Sequence, residues 1–191
     1  MSNATKQKTF EELEASLGTL ALSPRDSGHL ELIVRRPGVD EREVLPEGDL
    51  DLRAGLVGDG WISRPSPRTP AGSPNPKAQV TLMNARVIAL LAQTRERWPL
   101  AGDQLFVDLD LGAANLPAGT RLKVGEALLE ITDQPHTGCN KFAARFGKDA
   151  FRFVNLPEHK ALRLRGANAR VIQPGRIRTG DLVEVVRRPG A

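Results

Sequence analysis

The sequence predicts a mainly β fold, a barrel with a few flanking α-helices. Three observations favour it: short aliphatic and β-branched runs recur along the chain, turn-forming residues separate them, and strands do not alternate with helices as they would around a parallel sheet. The chain has 191 residues, which is enough to bury one core. Because only 4% of the residues are aromatic and none is tyrosine, we expect a core of mostly Leu, Val, Ile and Ala.

The N-terminal residues 1–28 are predicted to form a helical appendage on a barrel domain of residues 29–191. Thr9 is followed three residues later by Glu12, the pattern of a capping box at the start of a helix. Apolar residues at helical spacing then form one stripe. They are Phe10, Leu13, Leu17 and Leu20. We expect one short amphipathic helix that ends before Pro24.

The next part of the chain reads as short strands and turns. Residues 30–35 have a strand-like pattern, and a second strand is expected around residues 44–45. Gly-Asp pairs are predicted to be turns between strands. These pairs are Gly48-Asp49, Gly58-Asp59, Gly102-Asp103 and Gly180-Asp181.

Residues 64–77 contain five prolines, and this composition predicts a surface loop. The loop could be a lid, a docking segment or a tolerated insertion. After it, residues 79–82 are predicted to be a strand. Asn84 is the predicted N-cap of a helix that ends before Pro99.

The second half of the chain is dominated by β structure. The predicted strands are residues 105–109, 121–124, 127–132, 167–172 and 182–186, and the predicted helices are residues 140–146 and 148–154.

Composition narrows the class of partner. The formal net charge is +4, with 20 arginines against 7 lysines. Arginine suits phosphate and carboxylate ligands, but an arginine-rich genome explains the number better, because the arginines are dispersed along the chain. Because the basic residues are dispersed and aromatics are few, we expect no nucleic-acid partner.

The sequence also predicts a cytoplasmic protein. No apolar run is long enough to span a membrane, and the N-terminus lacks a signal peptide. The single cysteine excludes an intrachain disulfide, which agrees with a reducing compartment.

The single cysteine, Cys139, lies in the most informative stretch of the chain. Pro135 should end the strand of residues 127–132, and a helix should begin near Asn140. Cys139 would then lie at a strand-to-helix elbow beside His136 and Lys141, where the helix dipole and basic neighbours favour a thiolate. A reactive cysteine would be placed in this way, yet a lone cysteine is also often a small structural hydrophobe.

Five stretches, in order, resemble segments of the MOSC domain, the C-terminal module of molybdenum-cofactor sulfurases that also occurs as small bacterial proteins. The resemblance covers about residues 52–187. The stretches are residues 55–59, 79–84, 115–125, 130–139 with the family's hallmark cysteine, and 165–167 together with 180–183. Many family members carry a basic residue and a histidine where this chain has Gly60-Trp61.

The resemblance implies a MOSC-type β-barrel, similar to the barrel domain of pyruvate kinase. It implies that Cys139 is the catalytic residue and the metal ligand, which either carries sulfur as a persulfide or binds the molybdenum of a pterin cofactor. The implied cofactor-binding residues are His136, Thr137, Asn140, Lys141, Asn115 and Asp59. Read from the residues alone, Asn115 and Asp59 are also typical turn formers. No aminotransferase-like domain is present, so no pyridoxal phosphate is expected to be held by this domain alone.

The sequence is compatible with four functions. The first two are a molybdenum-cofactor enzyme that reduces small N-oxygenated substrates and a sulfur carrier for molybdenum-cofactor-linked transfer. Either would use a pterin cofactor or small molecule and a redox or sulfur-donor protein. The third is a non-catalytic ligand-binding or regulatory barrel with a structural cysteine. The fourth is a cysteine hydrolase with His136 as base and Asp133 as its orienting carboxylate.

Overall fold

The computed structural model of the protein describes residues 7–190. Its strands are β1 (Ser27–Arg35), β2 (Glu43–Leu45), β3 (Glu47–Asp51), β4 (Gly55–Leu56), β5 (Val80–Asn84), β6 (Leu105–Val107), β7 (Arg121–Val124), β8 (Ala127–Ile131), β9 (Ala167–Gln173), β10 (Gly175–Arg178) and β11 (Leu182–Arg187). Its α-helices are α1 (Phe10–Glu14), α2 (Leu17–Leu20), α3 (Ala85–Ala92), α4 (Asn140–Phe146) and α5 (Lys148–Asn155). Short 3-10 helices lie at Gly60–Ser63, Pro70–Gly72, Pro76–Ala78, Arg95–Ala101 and Pro157–Leu162.

Seven strands close into a barrel in the order β1-β11-β7-β8-β9-β5-β6, and β6 pairs with β1 again. The closing pair is antiparallel, with Gly28 opposite Val183. β2 extends the sheet beside β1, and β10, β3 and β4 form a separate three-stranded sheet. The predicted mainly β barrel with a few flanking helices is therefore confirmed.

Two apolar clusters hold the fold together. The strands of the barrel and the small three-stranded sheet contribute the first cluster, which is aliphatic throughout and includes Leu30, Leu129 and Ile177. This composition matches the expectation for a chain with few aromatics. The second cluster lies between the helices and the outer face of β1, β5 and β6, and it contains the aromatic residues Phe106 and Phe142. The helices therefore cover one side of the barrel.

One connection differs from the expectation that strands do not alternate with helices. β5 and β6 pair in parallel, with Met83 opposite Phe106, and the chain between them runs through α3. A parallel pair needs a long crossover, and a helix packed on the sheet supplies it. Asn84 is the N-cap, as predicted, but α3 ends at Ala92 because Gln93 takes a left-handed conformation with φ of 65°. The helix thus ends before Pro99, as predicted, and residues 95–101 form a separate 3-10 helix.

Two further predictions need correction. Gly48-Asp49 is not a turn, since it lies inside β3 with Gly48 opposite Ile177 of β10. β10 itself was predicted as a connection. Neither of these short strands shows the apolar alternation that reveals a strand in the sequence, because each contains only one buried apolar residue, Leu50 in β3 and Ile177 in β10.

The N-terminal segment forms two short helices where one was predicted. The capping box is present: the Thr9 amide donates to Glu12 Oε2 at 2.8 Å, and the Glu12 amide donates to Thr9 Oγ1 at 3.3 Å. Leu13 is buried against the second cluster. The division of the chain at residue 28 stays a prediction.

The proline-rich residues 64–77 form irregular chain with short 3-10 turns, in agreement with the predicted surface loop. The end of the loop is attached to the chain beyond β8. Lys77 Nζ lies 2.9 Å from Asp133 Oδ1, and Asn75 Nδ2 donates to Gln134 Oε1 at 3.1 Å. Among the described residues, no helix is long and apolar enough to cross a membrane.

Candidate functional site

A cleft of about 750 Å³ opens at the end of the barrel where β8 ends and β9 begins. It is lined by residues 132–137, 154–161 and 165–168 together with Ala113 and Arg163. Its walls are thus the segment after β8, the end of α5 with the 3-10 helix that follows, and the start of β9. The volume lies within the range typical of small-molecule sites.

Asn168 of β9 holds the segment that follows β8. Its Nδ2 donates to the carbonyl of Gln134 at 3.1 Å, and its own carbonyl accepts from the Thr132 amide at 2.9 Å. The Oδ1 atom of Asn168 is buried and has no hydrogen-bond partner among the described residues. This side of the cleft therefore contains an unused acceptor.

A buried charged network lies behind the cleft. His136 Nε2 is 2.6 Å from Asp103 Oδ1, and Arg165 donates from its terminal nitrogen to Asp103 Oδ2 at 2.6 Å. Asp103 is fully buried, Arg165 is 5% exposed, and the His136 side chain is 16% exposed. Of the three, His136 and Arg165 line the cleft.

The network shifts the pKa values of its members. Burial by itself raises the pKa of Asp103, but the charges of Arg165 and His136 and their hydrogen bonds outweigh burial and lower this pKa to about 2. Burial lowers the pKa of His136, and the Arg165 charge adds to this effect, while Asp103 opposes it. The net direction is downward, so near neutral pH the carboxylate is ionised and the imidazole is uncharged.

Cys139 is exposed and occupies the N-cap position of α4. The preceding residue is attached to the wall of the cleft: the Gly138 amide donates to Asn155 Oδ1 at 2.9 Å, and Asn155 Nδ2 donates back to the Gly138 carbonyl at 3.3 Å. A Cβ atom at position 138 would lie only 2.8 Å from Asn155 Nδ2, so glycine permits this close approach. Thr137 is the last cleft-lining residue of this segment, and Cys139 lies two residues beyond it.

The other predicted residues of this segment are exposed. Thr137 lines the cleft, whereas Asn140 and Lys141 begin α4 outside the residues that line it. Lys141 Nζ is 3.1 Å from Asp40 Oδ1, and Arg145 contacts the same carboxylate at 2.6 Å. The side chain of Lys141 is thus directed to a surface ion pair.

Asn115 and Asp59 lie apart from the cleft-lining residues and have internal partners. Asn115 is 1% exposed, and its Nδ2 donates to the carbonyls of Arg25 at 2.9 Å and Asp110 at 2.8 Å. Asp59 is 4% exposed and accepts two hydrogen bonds from the Arg36 guanidinium, both at 2.9 Å. The structure does not bring these two residues together with Cys139, and their contacts are those of internal structural groups.

Several residues of the cleft and of the network behind it were not predicted as site residues. Asp103 was expected only as part of a Gly-Asp turn, and Arg165 only within residues 165–167, which resemble a MOSC segment. No local sequence pattern marks Asn155 and Asn168 as site residues, because their hydrogen-bond partners lie 17 and 34 residues away, respectively, in the chain. Cys139 was predicted to be a metal ligand, but in the described part of the chain it has no neighbouring side chains that would complete a metal site. The described residues contain no group of three or more His, Cys, Asp or Glu that could hold a metal ion.

Among known families, the family model described as MOSC domain matches residues 69–184. This region includes the cleft segment, Cys139 and most of the barrel strands. No curated protein sequence matches the chain.

Two solved structures illustrate the shared fold. The YuaD protein from Bacillus subtilis superimposes with a TM-score of 0.56 at 20% identity, covering 83% of this chain and 94% of that one. YiiM from Escherichia coli superimposes with a TM-score of 0.54 at 20% identity, covering 85% of this chain and 72% of that one. At this identity the likeness shows the fold alone.

Proposed function

This chain belongs to the MOSC domain family, and from that premise we propose that it binds a molybdenum-pterin cofactor or carries sulfur on Cys139, with the cleft as its ligand site. The observation that carries the proposal is the placement of the chain's only cysteine. Its side chain is exposed, and the preceding Gly138 is hydrogen-bonded to Asn155 in the wall of the cleft. The thiol is thus accessible, and it lies next to the chain segment that lines the cleft.

The donor set fits a molybdenum that arrives with ligands of its own. The described residues offer one accessible thiol and no cluster of further metal ligands, so the chain would add a single soft donor to a metal already held by a pterin. Lys160 and Arg163 line the cleft and suit the phosphate of such a cofactor. The unused Oδ1 of Asn168 would accept from a ring N–H group.

When bound, such a cofactor supplies two-electron redox chemistry, which suits the reduction of small N-oxygenated substrates. The chain's own residues would bind and orient: Cys139 as the metal ligand, and His136 and Thr137 as hydrogen-bonding groups of the cleft. A redox protein would then be the partner.

The sulfur-carrier form of the proposal uses the same thiol without a metal. The Cys139 thiolate attacks the outer sulfur of a donor persulfide, a new S–S bond forms on Cys139, and the donor leaves as its thiolate. A second thiolate acceptor can then remove that sulfur by the same exchange. Partners of this form are a persulfide-bearing donor protein and an acceptor, and both belong to a reducing compartment such as the cytoplasm.

Exposure distinguishes these forms from the alternative of a structural cysteine in a non-catalytic barrel. A structural thiol contributes by burial, and Cys139 is exposed. In the hydrolase alternative the orienting carboxylate was expected to be Asp133, but Asp133 pairs with Lys77 and Asp103 contacts His136 instead. No hydrogen bond joins His136 to Cys139 in the described part of the chain, so the base is not paired with this thiol.

The decisive experiment replaces the thiol with a hydroxyl. Cys139→Ser should lower the free energy of unfolding by less than about 1 kcal/mol, because an exposed hydroxyl finds water. Molybdenum content and protein-bound sulfane sulfur should both fall to background, since oxygen is neither a soft ligand nor a persulfide carrier. Both are measured in protein made in a host that synthesises the cofactor, beside thermal melting.

The matched control is Ala144→Ser, which adds a hydroxyl to an exposed position of the same helix and leaves the thiol in place. It should retain the molybdenum or sulfur of the unmodified protein. A Cys139→Ser protein with unchanged metal and sulfur content would exclude Cys139 as the functional thiol. A wild-type protein with neither molybdenum nor sulfane sulfur would overturn the proposed function itself.

A further inference from the structure

The two nitrogens of His136 have different surroundings. Nε2 is 2.6 Å from Asp103 Oδ1, inside the protein. An ionised carboxylate only accepts hydrogen bonds, so a short contact requires the hydrogen to be on Nε2. Nδ1 makes no hydrogen bond to the described residues, and the ring lines the cleft with 16% of the side chain exposed.

Asp103 is itself held in place by Arg165. The guanidinium donates to Asp103 Oδ2 at 2.6 Å and to the Ala101 carbonyl at 2.8 Å. It also lies over the Phe142 ring, 4.9 Å from the ring centre. These three contacts hold the guanidinium in place, although its buried Nε has no partner among the described residues. The carboxylate that the guanidinium binds has its other oxygen on His136.

Gly166 allows the imidazole to lie close to the backbone. A Cβ atom at this position would be 3.1 Å from His136 Cδ2 and 2.1 Å from the Leu82 carbonyl oxygen, and the residue has a φ of +116°. A side chain here would displace either the ring or β5. The edge of the ring that carries Cδ2 and Nε2 is thus held against Gly166 and Asp103, and Nδ1 lies on the other edge of a ring that lines the cleft.

We propose that Asp103 and Arg165 are positioning residues that hold His136 in the Nε2–H tautomer, so that Nδ1 is a hydrogen-bond acceptor in the cleft for a ligand with an N–H or O–H group. The inference rests on the proposed function only in placing a ligand in this cleft. It adds a selectivity: ligands that present a donor to Nδ1 are accepted, and isosteres that present only an acceptor are rejected, because two lone pairs would face each other.

The ionisation of the network agrees with this assignment. Burial lowers the pKa of His136, and the Arg165 charge lowers it further against the opposing Asp103 carboxylate. The ring is then uncharged near neutral pH, and the Nδ1 lone pair is free.

Nitrogen-15 NMR of the ligand-free protein tests the tautomer directly. The chain has only three histidines, so a His136→Gln variant assigns the signal. In the wild type we expect His136 to be protonated on Nε2 and unprotonated on Nδ1. In Asp103→Asn, the amide oxygen should stay on Arg165 and the amide NH2 should face His136, which makes Nε2 the acceptor and moves the hydrogen to Nδ1.

The matched control is Glu130→Gln, which breaks an exposed ion pair with Arg170 at 2.7 Å and should leave the His136 tautomer unchanged. A wild-type His136 that is protonated on Nδ1, or that exchanges equally between tautomers, would overturn the assignment. If Asp103→Asn does not fold, the wild-type spectrum decides alone. Because these spectra need neither molybdenum nor sulfur, they remain decisive if the proposed function fails.

A probe with donors tests the ligand selectivity. Hydroxyurea offers both N–H and O–H groups, and its titration should shift the His136 Nδ1 signal of the wild type. Asp103→Asn should bind it about tenfold more weakly, since a donor would then face a donor. The fully N- and O-methylated counterpart should cause no shift. Equal shifts from both compounds, or none from hydroxyurea, would exclude Nδ1 as the acceptor.

Discussion

Asp59 and Asp103 were predicted only as turn residues, but both form buried ion pairs. Gly58 and Gly102 turn the chain with φ of +81° and +87°, as the Gly-Asp pattern predicts. The aspartates that follow them, Asp59 and Asp103, are buried and each is paired with an arginine. A buried carboxylate without its partner would be strongly destabilising, so these pairs make the ends of the barrel strands sensitive to single substitutions.

Acid should destabilise the protein partly through Asp103. Its pKa in the folded protein is about 2, against 3.8 for the free side chain. A depressed pKa means that the unfolded chain binds more protons in this range, so the stabilisation is complete above about pH 4 and is lost as the pH falls through the folded value. The loss should be on the order of 2 kcal/mol in urea unfolding between about pH 5 and pH 2.

The comparison protein for this measurement is Asp103→Asn. It should be less stable at pH 7 and should show a flatter dependence of unfolding free energy on acid, because its amide does not titrate. Parallel pH curves for the two proteins would mean that Asp103 does not carry this dependence.

At the scale of elements, the proline-rich loop of residues 64–77 is the segment with least regular structure beside the site. Prolines prevent it from joining a strand ladder, and its short 3-10 turns are held mainly by contacts within the loop. Only its end is attached to the cleft segment, through the pair of Lys77 with Asp133 and the bond of Asn75 to Gln134. The lid and docking roles predicted for this loop stay predictions.

Limited trypsin digestion should cut first after Arg68. This residue is exposed in the loop and is followed by Thr69, whereas Arg64 precedes Pro65, a bond that trypsin does not cleave. The expected products are residues 1–68 and 69–191, apart from trimming before Thr9, and mass spectrometry identifies them. Arg68→Gln should protect the loop. Early cleavage between residues 121 and 131 would contradict the barrel, since β7 and β8 pair there.

For the molecule as a whole, the decisive contact is the closure of the barrel by β1. The start of β1 pairs with β11, and the rest of β1 pairs with β6. It therefore joins the last strand of the chain to β6 and closes the barrel. Gly28 lies at this junction. A Cβ atom there would be 1.8 Å from the backbone oxygen of Asp108.

Gly28→Ala should therefore push β1 away from the chain after β6 and destabilise the protein by about 1–3 kcal/mol or more. Gly18→Ala is the matched control, because nothing lies within 4 Å of a Cβ atom at that position in α2. It should be neutral or stabilising by up to about 1 kcal/mol. Chemical unfolding measures both variants, and equal stabilities would contradict the register of the closing strands.

Local features could be predicted from the sequence because neighbouring residues determine them. The cap at Asn84 holds α3 through hydrogen bonds to the amides of Arg86 and Val87, two and three residues away. The β7–β8 hairpin follows from Gly125, and the elbow at Cys139 follows from Pro135 and the helix after it. The barrel itself was predictable, since a series of short strands with one apolar face each has few other ways to bury them.

Only the tertiary structure decided which distant residues meet. The parallel pairing of β5 with β6 depends on α3 packing outside the barrel, and β10 is a strand only because β3 lies beside it. His136 meets Asp103 across 33 residues and Asp103 meets Arg165 across 62. Such contacts are fixed by the closure of the sheet and by the pairing of buried charges, which depend on the folded chain as a whole and leave no periodic pattern in the sequence.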